Sequence, residues 1–168
     1  MHGRDLVDEL YDASYGRLVM QMLALCGSQA DAEDAVQEAF VQALRHRDRF
    51  ERTDRPEAWL RTVAVNRLRN HWRHAKVARR LLVQVPGPRA ALDLSPDHVA
   101  LVAALQQLDP TSREVVVLHH LAGLSVGEVA HQLGMAEGTV KSRLSRSRAR
   151  LSGLLDDTLD DKEAEPRA

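Results

Sequence analysis

The run from Ser125 to Leu151, SVGEVAHQLGMAEGTVKSRLSRSRARL, leaves the chain few ways to fold. Ser125 followed three residues later by Glu128 is a capping box, in which each side chain satisfies an orphan backbone N–H at a helix start. Val126, Val129, Ala130 and Leu133 then recur at helical spacing. Gly134 ends that helix, and Gly138 precedes a second periodic run in which Val140, Leu144 and Leu151 face inward. Lys141, Ser142, Ser145, Arg146 and Arg148 are left on the other surface. Two short helices joined by a tight glycine turn, the second with a basic, hydroxyl-rich face, fit a helix-turn-helix that reads DNA. Between Thr139 and Arg150 there are five Lys/Arg and no acid, so this face attracts phosphate. An ordinary helical hairpin with solvated charges is the competing reading. The one-sided sign and the short turn favour DNA.

The rest of the sequence is helical in its periodicity, with aromatics at only 4% and almost no strand-like alternation, which predicts an all-α protein. The formal net charge of −1 argues against nucleic acid until its distribution is read. Arg45 to Arg80 holds twelve Lys/Arg against four acids, while acids concentrate at Asp31 to Glu38 and in the tail from Asp156. Segregated blocks of this kind predict two basic surfaces and at least one acidic one, each with its own partner. The single cysteine, Cys26, cannot close an internal disulfide and suits a reducing cytoplasm. Neither a signal peptide nor a membrane span is expected, because no apolar run approaches ~18 residues.

In chain order, residues 6–26 predict a first helix ending at Gly27. Ser28 or Asp31 caps the next, whose apolar stripe is Ala35 or Val36, Ala39, Phe40, Ala43 and Leu44. Its other face carries Asp34, Gln37, Glu38 and Val41, which alone reads as solvated. Arg45 to Arg55 reads as a charged loop containing Phe50, and Pro56 opens a long helix. Some combination of Trp59, Leu60, Val63, Ala64, Leu68 and Trp72 supplies the buried side of that helix. Asn66, Arg69, Asn70 and Arg73 share another face at three- and four-residue steps. Asparagine is a poor helix-interior residue, so two of them beside two arginines read as hydrogen-bonding equipment for bases or phosphates. Pro86, Gly87 and Pro88 mark a linker. Ser95-Pro96 and Asp109-Pro110 then start two further helices before the opening stretch.

Catalysis finds no footing. His71 and His74, or His119 and His120, lack Cys or acid at ligand spacing, so no metal is expected. No phosphate loop, nucleophile elbow or paired carboxylates appear, and neither a cofactor nor a small-molecule substrate is implied.

Three blocks in order now carry a resemblance: DAEDAVQEAFVQAL (Asp31 to Leu44), AWLRTVAVNRLRNHWR (Ala58 to Arg73), and Leu108-Asp109-Pro110 through GLSVGEVAHQLGMAEGTVKSRLSRSRARL (Gly123 to Leu151). Across residues 6–154 the chain resembles a bacterial sigma factor of the extracytoplasmic-function group, the small two-domain class of the sigma-70 family. The resemblance implies a region 2-like helical domain (1–80), a linker (81–95), a region 4-like helix-turn-helix domain (96–155) and an acidic tail (156–168) expected to be disordered. It also implies a non-catalytic specificity subunit that binds core RNA polymerase, reads −35 and −10 elements and helps melt the latter. The polymerase contacts would be the β′ clamp coiled coil and the β flap, with Asp31, Asp34, Gln37 and Glu38 on the clamp. Phe50, Asn66 and Asn70 would form a base pocket at −10, with Arg69 and Arg73 on backbone. Thr139, Lys141, Ser142, Ser145, Arg146 and Arg148 would serve −35. An anti-sigma factor is a further partner the group implies. Two positions depart from the pattern: Ala136 stands where a serine often caps the recognition helix, and Ser145 gives little apolar reach to thymine methyls. The alternative is a stand-alone helix-turn-helix regulator, dimeric on a palindrome, which would need a dimer surface or sensor in the first lobe.

Overall fold

A computed structural model describes residues 2–78 and 94–163, with side chains over 6–73 and 94–156. All regular structure among the described residues is helical. In order these are α1 (His2–Cys26), α2 (Gln29–Arg45), α3 (Arg47–Phe50), α4 (Pro56–Ala78), α5 (Pro96–Gln106), α6 (Pro110–Val116) with a π-helical turn (Val117–Leu121), α7 (Val126–Leu133) and α8 (Glu137–Glu163). The chain divides into two units, residues 1–92 and 93–168. Residues 81–93 of the expected linker, and 164–168 of the expected tail, lie outside the described residues.

In the first unit the helix limits follow from their caps. Gly27, at φ 70°, donates its N–H to the Leu23 carbonyl at 2.7 Å, closing α1 with a left-handed residue. Ser28 Oγ then accepts from the Asp31 amide at 3.3 Å and starts α2. Helix α2 packs against both α1 and α4. Its buried stripe is Ala32, Ala35, Val36, Ala39, Phe40 and Ala43, and the four alanines allow close approach of its neighbours. Leu18, Val19 and Met22 of α1 and Leu60, Ala64 and Leu68 of α4 complete the core. Across it runs a buried polar clamp. Arg61 Nε donates to Gln21 Oε1 at 2.9 Å, and Glu57 lies 3.7 Å from Arg61 and 2.8 Å from Arg17. A guanidinium only 6% exposed requires such partners.

Two expectations are corrected here, for Leu44 and the charged loop, and one is narrowed, for Trp72. Leu44 is 53% exposed, because Ala43 takes the inward place in the last turn of α2 and Leu44 lies 100° further round. Trp72 is also exposed, a full turn past Leu68, the last buried position among the described α4 side chains. The charged loop is not irregular throughout: α3 folds it down and buries Phe50 completely, its ring edge-on to Trp59 at 5.2 Å. Phe50 therefore pins the loop to α4, and its face is not available to stack on a base.

In the second unit, Ser95 Oγ and Asp109 Oδ1 cap α5 and α6 by accepting from the His98 and Ser112 amides. Arg113 donates to the carbonyls of Leu105, Gln106 and Leu108 at 2.9–3.1 Å, satisfying the end of α5. The helix started by Asp109-Pro110 widens after Val116, where the Ala122 N–H reaches the Val117 carbonyl five residues back at 3.0 Å. The tail differs too. Residues 156–163, expected to be disordered, continue α8. No glycine or proline interrupts that stretch, and half-buried Leu154 and Leu155 anchor its start.

Phe50→Ala should cost about 3–5 kcal/mol of stability, measured by urea unfolding of the full chain. A loss below ~1 kcal/mol would show that the ring is not part of the core.

Candidate nucleic-acid and partner surfaces

The helix-turn-helix is built from reciprocal caps. The Ser125 N–H donates to Glu128 Oε2 at 2.8 Å and the Glu128 N–H donates to Ser125 Oγ at 3.2 Å, completing the capping box. Gly134 sits at φ 64°, and the Met135 amide reaches the Ala130 carbonyl at 2.9 Å while that of Gly134 reaches His131. This is a Schellman motif, and it turns the chain into α8. At Ala136 the backbone alone caps: its carbonyl accepts from the Thr139 and Val140 amides, and Glu137 places negative charge in the first turn.

Helix α8 buries Val140, Leu144 and Ser147, with Leu151 half-buried. Thr139, Lys141, Ser142, Ser145, Arg146 and Arg148 are all exposed. Two of them rest on their own helix: Ser142 Oγ donates to the Thr139 carbonyl at 3.0 Å and Arg146 Nε to the Ser142 carbonyl at 3.3 Å. Beside Arg148 stands His120, whose pKa is lowered by burial, by His119 and by Arg148, so it stays uncharged near neutrality. Arg143 was not singled out by the sequence. It turns inward, donating Nη1 to Ser112 Oγ at 2.9 Å and lying 3.4 Å from Asp109 Oδ1. Its place one residue before buried Leu144 is the signal that could have found it.

On α4, Asn66, Asn70 and Arg73 are exposed and Arg69 is half-buried. The Arg69 guanidinium donates to Asn66 Oδ1 at 3.4 Å, and that of Arg73 to Asn70 Oδ1 at 2.9 Å. Each arginine thus occupies its asparagine's carbonyl and leaves the amide NH2 as the donating end. Phe50, buried beneath, is not part of this exposed strip.

On α2, Asp34 and Gln37 are exposed and Asp31 and Glu38 half-buried. Gln42 donates to Glu38 at 2.7 Å, and the Gln37 amide lies 3.5 Å from the Tyr15 hydroxyl. Val41 and Leu44, 38% and 53% exposed, extend the acidic strip with apolar surface that the sequence reading had split between two faces. Tyr11 stacks on Tyr15 at 4.6 Å beside them, so this surface is aromatic as well as acidic. Among the described residues no group of three His, Cys, Asp or Glu could hold a metal, and no helix is long and apolar enough to cross a membrane.

Asp109 offers a pH test. Hydrogen bonds from Ser112, side chain and amide, together with the Arg143 guanidinium, hold its carboxyl below the ordinary range. A depressed carboxylate stabilises the fold above its unfolded pKa, and that contribution is lost as pH falls through the lowered value. Asp109→Asn should therefore flatten the acid limb of stability against pH. An unchanged limb would show that the cap and ion pair contribute nothing.

Comparison with known proteins agrees with this geometry. The Sigma-70 region 2 family matches residues 10–94, and the Sigma-70 region 4 family matches residues 98–151. The ECF RNA polymerase sigma factor SigL of Mycobacterium tuberculosis is 37% identical over 147 residues, covering 83% of this chain and 82% of SigL. The RNA polymerase sigma factor CnrH of Cupriavidus metallidurans is 33% identical over 144 residues, 76% of this chain and 75% of CnrH. Among solved structures, the sigma factor RpoE in complex with the anti-sigma factor NepR, from Bartonella quintana, aligns with a TM-score of 0.68 at 29% identity, over 91% of this chain and 98% of RpoE. CnrH in complex with the cytosolic domain of CnrY gives 0.65 at 29%, over 93% and 91%.

Proposed function

The chain belongs to the sigma-70 family, in its extracytoplasmic-function group, and from that premise we propose how its surfaces divide the work of an RNA polymerase sigma factor. The α8 face reads the −35 element from the major groove, with Thr139, Lys141, Ser142, Ser145, Arg146 and Arg148 as its contacts. The α4 strip of Asn66, Arg69, Asn70 and Arg73 takes the −10 element. The α2 strip of Asp31, Asp34, Gln37 and Glu38, extended by Val41 and Leu44, docks on the β′ clamp of core polymerase. Residues 1–80 and 96–155 are then the two working lobes. The observation that carries this reading is the polarity of α8 between residues 139 and 153: every exposed residue there is a hydroxyl, a cation or small.

The mechanism needs no catalysis by the chain. Helix α8 supplies donors to base edges and phosphates. At −10, capture of an unstacked base costs a few kcal/mol, offset by hydrogen bonds from the exposed asparagine amides. Because RpoE was solved with the anti-sigma factor NepR, and CnrH with the cytosolic domain of CnrY, a comparable inhibitor is the natural regulator here, covering the α2 strip. A chain that works on the chromosome with polymerase would act in the cytoplasm. A stand-alone regulator would leave the region 2 match over residues 10–94 without a purpose.

In vitro transcription with core polymerase tests the assignment. Asn66→Ala should slow open-complex formation while polymerase binding stays intact, and equal transcription from both proteins refutes the −10 role. Arg146→Ala should cost about 1–3 kcal/mol of discrimination among −35 variants. An unaltered preference would show that this side chain only positions.

A further inference from the structure

A cleft of about 160 Å3 opens between α8 and the α5–α6 junction. Asp109 and Ser112 line one wall, and Arg143, Arg146, Ser147 and Arg150 the other. Positions 143, 146 and 150 recur at three- and four-residue steps, so their stems share one side of the helix. At about 100° per residue, that side lies between the buried stripe and the hydroxyl stripe of Ser142 and Ser145. Lys141 and Arg148 fall on the opposite flank. Cations therefore border the hydroxyl stripe on both sides, which suits a groove walled by two phosphate backbones.

The cleft holds more donor capacity than its protein acceptors use. Arg143 is fixed by Ser112 and Asp109, and its Nε is buried with no hydrogen-bond partner. Arg146 Nε rests on a backbone carbonyl at 3.3 Å, a long contact that an anionic acceptor would displace. Arg150 is exposed and forms no ion pair among the described side chains. The carboxylate in the lining, Asp109, opposes an anion, yet its Oδ1 already accepts from the Ser112 amide at 3.0 Å and faces Arg143. Three guanidinium groups outweigh it.

We propose that this cleft seats one phosphodiester group of the promoter backbone, gripped by Arg150 and Arg146 against the fixed wall of Arg143. It rests on the reading of α8 as the −35 helix and extends that helix's contacts to a residue outside the base-reading face. Guanidinium forks match phosphate oxygens in pairs. A free phosphate would present the same chemistry, so the test has to separate the two sources.

The full chain, bound to core polymerase, is titrated with −35 duplexes carrying a single neutral methylphosphonate at successive backbone positions. Wild type should lose affinity at one position that Arg150→Ala no longer senses, while Arg148→Ala still does. Arg150→Ala should also lower the slope of log affinity against log salt by about one, equally for every −35 sequence, and Arg150→Lys should restore it in part. Unchanged core-polymerase binding by each variant shows that it is folded. If wild type and Arg150→Ala give the same profile and slope while Arg148→Ala weakens binding, the cleft takes no phosphate and the −35 reading survives. If Arg146→Ala, Arg148→Ala and Arg150→Ala all bind like wild type, the −35 reading itself fails. Saturation of the free chain by inorganic phosphate at fixed ionic strength, abolished by Arg150→Ala and unaccompanied by any methylphosphonate effect, assigns the cleft to free phosphate and overturns the DNA source.

Discussion

The attachment of α8 to its own small lobe governs what the second unit can present to a partner. A helix that buries Val140, Leu144 and Ser147 has no freedom about which residues it exposes, because 3.6 residues per turn fix the remainder. Arg143 adds a polar lock on the same side, tying α8 to the cap residues Asp109 and Ser112 of α6. Asp109 thereby serves twice, as the start of one helix and as a stop on the rotation of another. A turn of α8 by one position would break this lock and carry one of Ser142 and Ser145 toward the buried side. The recognition face is thus a consequence of packing on its far side.

The first unit answers a different demand, that of a helix covered on two sides and still offering a third. Alanine at 32, 35, 39 and 43 lets α1 and α4 close on α2 without consuming its whole circumference. What remains outward is acidic at its centre and apolar at its end, where Val41 and Leu44 meet solvent. Exposed apolar groups next to acids are costly to leave uncovered and useful when a partner covers them. The Arg61–Gln21 hydrogen bond with Glu57 holds α4 against α1, so the asparagine strip of α4 is carried on a rigid frame.

Local chemistry was legible and long-range coverage was not. Ser28, Ser95, Asp109, Ser125 with Glu128, and the glycines at 27 and 134 announce helix ends because their effects operate within four residues. The polar face of α8 was readable for a related reason, since a strong charge bias survives small errors of phase. Leu44 and Phe50 were misplaced and Trp72 was left undecided because periodicity shows which residues share a face and not where neighbouring helices stop covering it. Phe50 in particular sits among arginines and acids, and only the α3 turn brings its ring under Trp59. The widening after Val116 left no signal in a run of apolar residues. Arg143 was hidden by its company: in a row of cations, only its place beside buried Leu144 separates the one that faces inward.

The electrostatic design follows from these placements. With a formal net charge of −1, the chain as a whole exerts little long-range pull on DNA. Its cationic strips act only at close quarters, within a Debye length of about 8 Å at physiological salt. Attraction of that range rewards a chain already held near the duplex and does little for one diffusing freely. A specificity subunit gains from such a balance. In the proposed division of work, core polymerase, engaged through the acidic and apolar strip of α2, would bring DNA within reach, and the arginines and asparagines would then discriminate among sequences that proximity alone would treat alike. The low overall charge and the locally one-sided faces are in that sense one solution: weak attraction at a distance keeps the polymerase contact in control of when promoter DNA is read.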